Sequence, residues 1–238
     1  MLIDVNIGLM ELSGPPKRGY HHGDLRNALG DAAAQLARDG GPESVTVRAA
    51  ARLAGVTPTA AYRHYAGHEE LLAEAKHQCL AQLGTAIEKT RGAQPPLTDR
   101  RHQALRDLAV AGRAYVDFAL AEPGLFRTAF SQGGAILDSD HGDHGDSSPF
   151  GQLVGLIERL VEAGYLPPAR RPMAEVAAWS ATHGLAVLLL DGPLRDLPAP
   201  VQDEAIARTI VAMGRGLAGA ELSPDLEEIM LAAVRRQP

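Results

Sequence analysis

The sequence predicts an all-α chain in two parts. Apolar residues recur at helical spacing along most of its length, and no strand-like alternation interrupts them. Aromatic residues make up only 4%, while Ala, Leu and Arg recur throughout, a balance that favours helices over sheets. The chain has 238 residues, enough for one large domain or two small ones.

The first helix has Leu25, Leu29, Ala32, Ala33 and Leu36 on one face, with Asp24 near its start and Gly40-Gly41 as its stop. A short helix follows from Val47 to Leu53, with Thr46 as its cap. There Ala49, Ala50, Leu53 and Val56 are expected to point inward. Gly55 sits where the chain must turn sharply, a position that often needs positive φ. Thr57 then caps a second short helix, Pro58 to His64. Proline fits the first turn because its missing N–H would find no intrahelical partner.

Leu71, Leu72, Ala75, Cys79, Leu83 and Ile87 begin a longer helix that ends near Gly92, before the break Gln94-Pro95-Pro96. Leu105, Leu108, Gly112, Tyr115, Val116 and Ala119 mark the next helix. Glu122-Pro123-Gly124 kinks or restarts it toward Phe130. Ser131 to Pro149 is polar and rich in Gly, Asp and Ser, and is expected to be a mobile loop. Helical patterns resume at 150–163, 173–190 and 201–217, with a last short helix over 224–234.

Two short helices joined by a glycine turn form a helix-turn-helix, whose second helix enters the DNA major groove. Its outward face suits that role. Thr59 and Ala60 lie near the end that usually meets bases. Tyr62 and His64 can bond phosphates, and Arg63 a phosphate or a guanine edge. An ordinary helical hairpin is the plainer alternative, but cap, turn, proline and polar face agree against it. The charge distribution is compatible. From Lys17 to Lys76 there are 8 basic and 7 acidic residues, in a chain of net charge -6, so the acidity lies elsewhere. Lys17, Arg18, His21 and His22 form a basic arm that can reach phosphates or the minor groove, or else a solvated tail.

These residues carry a resemblance. Ser44 to Leu72, SVTVRAAARLAGVTPTAAYRHYAGHEELL, resembles the DNA-binding signature of the TetR family of bacterial repressors. RGYHHGDLRNAL at Arg18 to Leu29 resembles the first-helix entry of one large branch. YVDFALAEPGLFRTAF at Tyr115 to Phe130 and WSATHGL at Trp179 to Leu185 are similar to that branch's ligand-domain signatures. Its WHG label matches Trp179, His183 and Gly184.

The resemblance implies a three-helix DNA-binding domain followed by a larger helical domain for ligand binding and dimerisation. It implies DNA contacts at Val47, Arg48, Pro58, Thr59, Ala60, Tyr62, Arg63, His64 and His68, beside the caps Thr46 and Thr57. His68 departs from the family, which usually has a phosphate-gripping lysine there. A neutral histidine donates one hydrogen bond but lacks the full charge. That departure predicts weaker DNA affinity, with some pH dependence below ~6.5.

The expected division is a disordered leader at 1–16, the DNA-binding domain at 17–66, a connecting helix at 67–92, and the ligand and dimer domain at 93–238. Tyr115, Phe118, Phe126, Phe130, Trp179 and His183 are the candidate pocket residues, or else simply core. Ile206, Ile210, Met213 and Leu217 form an apolar stripe for a homodimer, or one that packs within a subunit. Gly214, Gly216, Ala218 and Gly219 permit close approach. A dimer would read a palindromic double-stranded operator with half-sites about 34 Å apart or a multiple of that. A small-molecule effector would shift affinity through differential binding to two states.

Other signals are weaker. Asp138, Asp140, His141, Asp143, His144 and Asp146 cluster in the polar loop, but their spacing fits neither an EF-hand nor a zinc site, so no metal and no cofactor are expected. An enzyme using Tyr115, His183 and Asp191 is the rival class, but no nucleophile motif, phosphate loop or carboxylate pair supports it. A helical adaptor for a protein partner is the third. The longest apolar run, Gly184 to Leu190, falls short of the ~18 residues of a membrane span. The first fourteen residues do not look like a signal peptide, and the single Cys79 cannot make an internal disulfide. A cytoplasmic location follows as the expectation.

Overall fold

The computed structural model describes residues 22–131, 147–219 and 223–235. The expected leader 1–16, the arm residues Lys17, Arg18 and His21, the side chain of His22 and the Asp/His cluster 138–146 lie outside the described residues. Among the described residues there are ten α-helices and no strand. They are α1 (His22–Gly40), α2 (Val47–Leu53), α3 (Pro58–Ala61), α4 (His68–Gly92), α5 (Arg100–Ala121), α6 (Pro123–Ala129), α7 (Pro149–Glu162), α8 (Ala174–Leu190), α9 (Ala199–Ala218) and α10 (Pro224–Val234). Single 3-10 turns occupy Pro42–Ser44 and Pro168–Arg170.

The local signals act as their chemistry predicts. The Thr46 and Thr57 hydroxyl oxygens accept from Ala49 N at 3.1 Å and Ala60 N at 3.2 Å, which caps α2 and α3. Gly55 has φ 71°, in the left-handed region that an L side chain rarely adopts. Pro123 restarts the chain as α6 rather than kinking α5. Two expectations are corrected. α3 closes at Ala61, and Tyr62, Arg63 and His64 continue it as hydrogen-bonded turns. Leu53 is exposed, because the inward phase of α2 runs through Val47, Ala50 and Ala51, at i, i+3 and i+4.

Two cores share the long α4. The first joins Leu29 and Ala33 of α1, Val47 and Ala50 of α2, Tyr65, and Leu71, Ala75 and Cys79 of α4. Cys79 is fully buried, and burial pushes its thiol up to about 12, so it is an inert apolar filler. The second core takes Leu83 and Ile87 from farther along α4 and surrounds α5, which is buried on most of its faces. The α5 cation Arg113 is 5% exposed, and its guanidinium donates to Asp117 at 2.9 Å and to Asp203 of α9 at 2.8 Å.

Short α6 belongs to both cores. Leu125 and Ala129 enter the first, and Phe126 enters the second. Gly124 lies directly on the backbone of α1. A Cβ there would collide with the carbonyl oxygens of Ala37 and Arg38, so only glycine permits the approach.

The expected dimer stripe is corrected. Ile206, Ile210 and Leu217 are 1%, 1% and 7% exposed within their own subunit, and Met213 is half-buried against the same core. Ile210 rests against Gly112 of α5. An apolar stripe faces the nearest apolar surface, and here that surface is intramolecular.

Candidate nucleic-acid interface and internal cavity

Thr46, Arg48, Thr57, Pro58, Thr59, Tyr62, Arg63 and His68 are exposed on one end of the molecule, with Ala60 and His64 half-buried among them. Tyr62 keeps 49% of its surface in solvent, unusual for so large a ring outside a binding face. Val47 is 5% exposed and packs inward, so its side chain is corrected from contact residue to core residue.

A network that sequence reasoning missed fixes this surface. Arg26 of α1 donates to the His64 carbonyl at 2.6 Å and to Glu70 Oε1 at 3.1 Å, and its guanidinium lies 4.5 Å from the Tyr65 ring centre. Glu70 Oε2 accepts from the Ala66 N–H at 2.7 Å, just ahead of α4. The Ala66 N–H and then Arg26 hold the Glu70 carboxyl below its ordinary range. Tyr65 returns its hydroxyl to the Arg26 carbonyl at 3.2 Å, and burial raises that phenol to about 12. These contacts clamp the turns after α3 between α1 and α4. The arrangement leaves Arg48, Arg52 and Arg63 exposed near Tyr62, with Glu69 and Glu70 exposed beside His68.

The second feature is a cavity of about 440 Å³ inside the larger core. Tyr115, Phe130 and Trp179 line it. Phe118, Phe126 and His183 stand behind its wall rather than in it. Phe126 is 2% exposed and meets Tyr115 edge-on at 5.6 Å. His183 lies 4.7 Å from Phe130 and 5.4 Å from Phe126 between ring centres. Much of the remaining wall comes from α4 and α7, including Leu80, Thr85, Glu88, Gln152 and Leu156. Helical spacing marks these residues as inward or outward but does not say that a void lies between them.

A hydrogen-bonded chain runs through the aromatic wall. Trp179 Nε1 donates to the Tyr115 oxygen at 3.2 Å, and that hydroxyl lies 2.7 Å from His183 Nδ1. Burial lowers the His183 pKa, which favours neutral imidazole as the acceptor of the tyrosine proton. Burial also raises the Tyr115 pKa strongly. Asp191, the third residue of the enzyme alternative, is instead paired on the surface with Arg127 at 2.5 Å. The Thr182 hydroxyl, next in the chain to His183, donates to the Ala178 carbonyl at 2.9 Å.

Comparison with known proteins agrees at both ends of the chain. Residues 29–75 match the family described as bacterial regulatory proteins, tetR family. Residues 108–213 match the tetracyclin repressor-like C-terminal domain family. The chain is 29% identical over 161 residues to the uncharacterized HTH-type transcriptional regulator YobS of Bacillus subtilis (strain 168), covering 67% of this chain and 75% of YobS. Among solved structures, a Rhodococcus sp. RHA1 protein of unknown function is 25% identical with TM-score 0.64, covering 85% of this chain and all of that one. RolR in complex with resorcinol shares the fold at 15% identity and TM-score 0.63, covering 91% of this chain and 96% of RolR.

Proposed function

We propose, from the premise that this chain belongs to the TetR family of bacterial regulatory proteins, that it is a dimeric repressor released from its operator by a small molecule. DNA-binding transcriptional regulation is the function of the chain. The observation that carries the mechanism is the capped pair α2 and α3, turned at Gly55, with Tyr62 and Arg63 exposed beyond it. In this reading Arg48, Thr59, Tyr62, Arg63 and His68 meet a palindromic double-stranded operator. Arg63 and Arg48 supply the charge and Tyr62 a hydroxyl for phosphate.

The exposed apolar residues that remain support a dimer through a different face from the buried stripe. Met173, Val187 and Leu188 of the α8 region are 62%, 40% and 43% exposed, and Val201 on the neighbouring α9 is 47% exposed. Ala177, Gly184, Ala212 and Gly216 continue the two helix faces as small exposed residues that allow close helix approach. A second copy of the chain, related by a two-fold axis, fits such a self-complementary face.

The cavity is the effector site in this reading. Resorcinol bound to RolR illustrates the kind of small molecule that the fold accepts. The route to the DNA end is short, because Phe130 lines the cavity and packs against both cores, and α6 sits on α1 through Gly124. An effector that holds α6 in one of two positions therefore biases the spacing of the two reading heads. Among the described residues no helix is long and apolar enough to cross a membrane. The regulator is assigned to the cytoplasm, where its DNA lies. Selection of bound DNA from a random pool, followed by a screen for small molecules that release it, tests the whole reading. Failure to enrich any sequence removes it.

A further inference from the structure

We infer that the effector is an uncharged aromatic molecule carrying an O–H or N–H donor, and that Gln152 Oε1 is the acceptor that selects it. This inference rests on the reading of the cavity as the effector site.

Charge sets the first limit. Among the described residues that line the cavity none is Lys or Arg, and Glu88 contributes a carboxylate. A ligand carboxylate or phosphate brought into that wall would lose water and find no Lys or Arg, with His77 the one imidazole in the lining, which is unfavourable. Shape sets the second. Phe130, Phe150 and Trp179 contribute rings, with Trp179 5.9 Å from Phe150 and 6.3 Å from Phe130. Leu80, Leu108 and Leu156 fill much of the remainder. Such walls take a planar apolar ring.

The pattern of donors and acceptors sets the third limit. Trp179 Nε1 is already given to Tyr115 at 3.2 Å, the Thr85 hydroxyl to the Ala81 carbonyl at 2.8 Å, and the Thr182 hydroxyl to the Ala178 carbonyl at 2.9 Å. Three wall donors are thus committed. Gln152 is the reverse case. It is 7% exposed, and its Nε2 donates to the carbonyls of Gly84 and Ser147, both at 2.9 Å. Both partners are acceptors, so the amide cannot be turned round without setting oxygen against oxygen. Its Oε1 is left buried and without a hydrogen-bond partner among the described residues. That oxygen has almost no open surface, so a ligand reaches it only by displacing what covers it; one that does so satisfies the carbonyl if it brings a proton, and not if it is an ether or a ketone.

The test uses the full chain and Trp179, its single tryptophan, as the reporter at the cavity wall. Three probes of one shape are titrated: 4-tert-butylphenol, its methyl ether and 4-tert-butylbenzoate. The phenol is expected to perturb Trp179 emission with at least about tenfold tighter binding than the ether, and the benzoate to bind most weakly. Gln152→Met is expected to erase the preference for phenol over ether. The comparison on the unaltered protein holds whether or not that variant folds. An ether that binds as tightly as the phenol, or a benzoate that binds best, sinks the donor requirement but leaves the cavity as an effector site. A phenol preference that survives in folded Gln152→Met removes the role of Gln152. If none of the three probes perturbs Trp179, the effector reading of the cavity is itself overturned.

Discussion

The Tyr115 hydroxyl lies 2.7 Å from Nδ1 of His183, and the same oxygen receives the Trp179 N–H at 3.2 Å. With the tryptophan donating to its oxygen, the tyrosine donates its own O–H to Nδ1, so the imidazole is neutral with its hydrogen on Nε2. Burial lowers the His183 pKa below the ordinary value near ~6.5. Between the folded and unfolded values the unfolded chain binds a proton that the native chain does not. The contribution of His183 to stability is therefore complete above about pH 6.5 and declines as pH falls toward the folded value. Thermal unfolding followed from about pH 7.5 down to 5.5 should show a steeper loss for the unaltered protein than for His183→Gln. Equal slopes would mean that His183 is not held neutral.

On the surface, the contrast between Val47 and its neighbours gives the clearest test of the DNA-binding assignment. Arg63→Ala should weaken operator binding roughly tenfold or more, and should flatten the log–log salt slope by about 0.9 per subunit, about 1.8 for a dimer, if the guanidinium meets phosphate. Tyr62→Phe should weaken binding by a smaller factor through loss of one hydroxyl. Val47→Ala, at 5% exposure, should instead lower stability by about 1–3 kcal/mol and leave the affinity of the folded protein unchanged. Fluorescence anisotropy on a selected operator, paired with denaturant melts, separates the two classes.

What the sequence made legible was local. Thr46, Gly55, Thr57 and Pro58 act within four residues of themselves, so their chemistry declares the helix-turn-helix without tertiary knowledge. The Arg26–Glu70 clamp joins residues 44 apart, and no spacing rule announces such a pair. Periodicity also fails to say which apolar surface a stripe meets. Ile206 and Ile210 share a stripe that fits a partner subunit as well as it fits α5, and packing against α5 decides the matter. The exposed face is weaker as a pattern because it is built largely of Ala and Gly, with Val201 and Leu188 as its few large members. Half of the expected pocket was found because aromatic residues are rare in this chain. The α4 and α7 walls were missed because ordinary helical residues line them.

His68 begins α4 and is exposed, with Gly67 offering no side-chain cap before it. His68→Lys should bind operator more tightly, because the ammonium brings a full positive charge to the phosphates. The gain should shrink at higher salt. Anisotropy titrations at two salt concentrations read it, and no gain at the lower salt removes His68 from the phosphate contacts.

The proposed dimer face is tested by two aspartates of opposite consequence. Leu188 is 43% exposed in the single subunit and Ile210 is 1% exposed. Leu188→Asp should give a folded monomer by sedimentation velocity, with operator affinity reduced because one reading head is lost. Ile210→Asp should lose the folded state, since a carboxylate in that core has no partner. A Leu188→Asp protein that still sediments as a dimer places the interface elsewhere.

The proposed coupling between the cavity and the reading head depends on how closely α6 can lie on α1. The Gly124 Cα faces the carbonyl oxygens of Ala37 and Arg38, and on the same side Arg38 Nε holds Glu122 at 3.0 Å. A methyl group there cannot be absorbed by a rotamer change, because its obstacles are backbone atoms. Gly124→Ala must therefore lift α6, and with it Leu125 and Ala129, from the first core. The expected cost is about 1–3 kcal/mol in stability. The folded fraction should respond less to any effector that loads the cavity, since Phe126 and Phe130 would move without carrying α1. Gly92→Ala is the matching control. Nothing lies within 4 Å of its added Cβ at the end of α4, so stability should hold or rise slightly. Denaturant melts and effector-dependent operator release, measured on both variants, separate a lost contact from a general effect of replacing glycine. A Gly124→Ala protein as stable and as responsive as Gly92→Ala would show that the close approach of α6 to α1 does not transmit the signal.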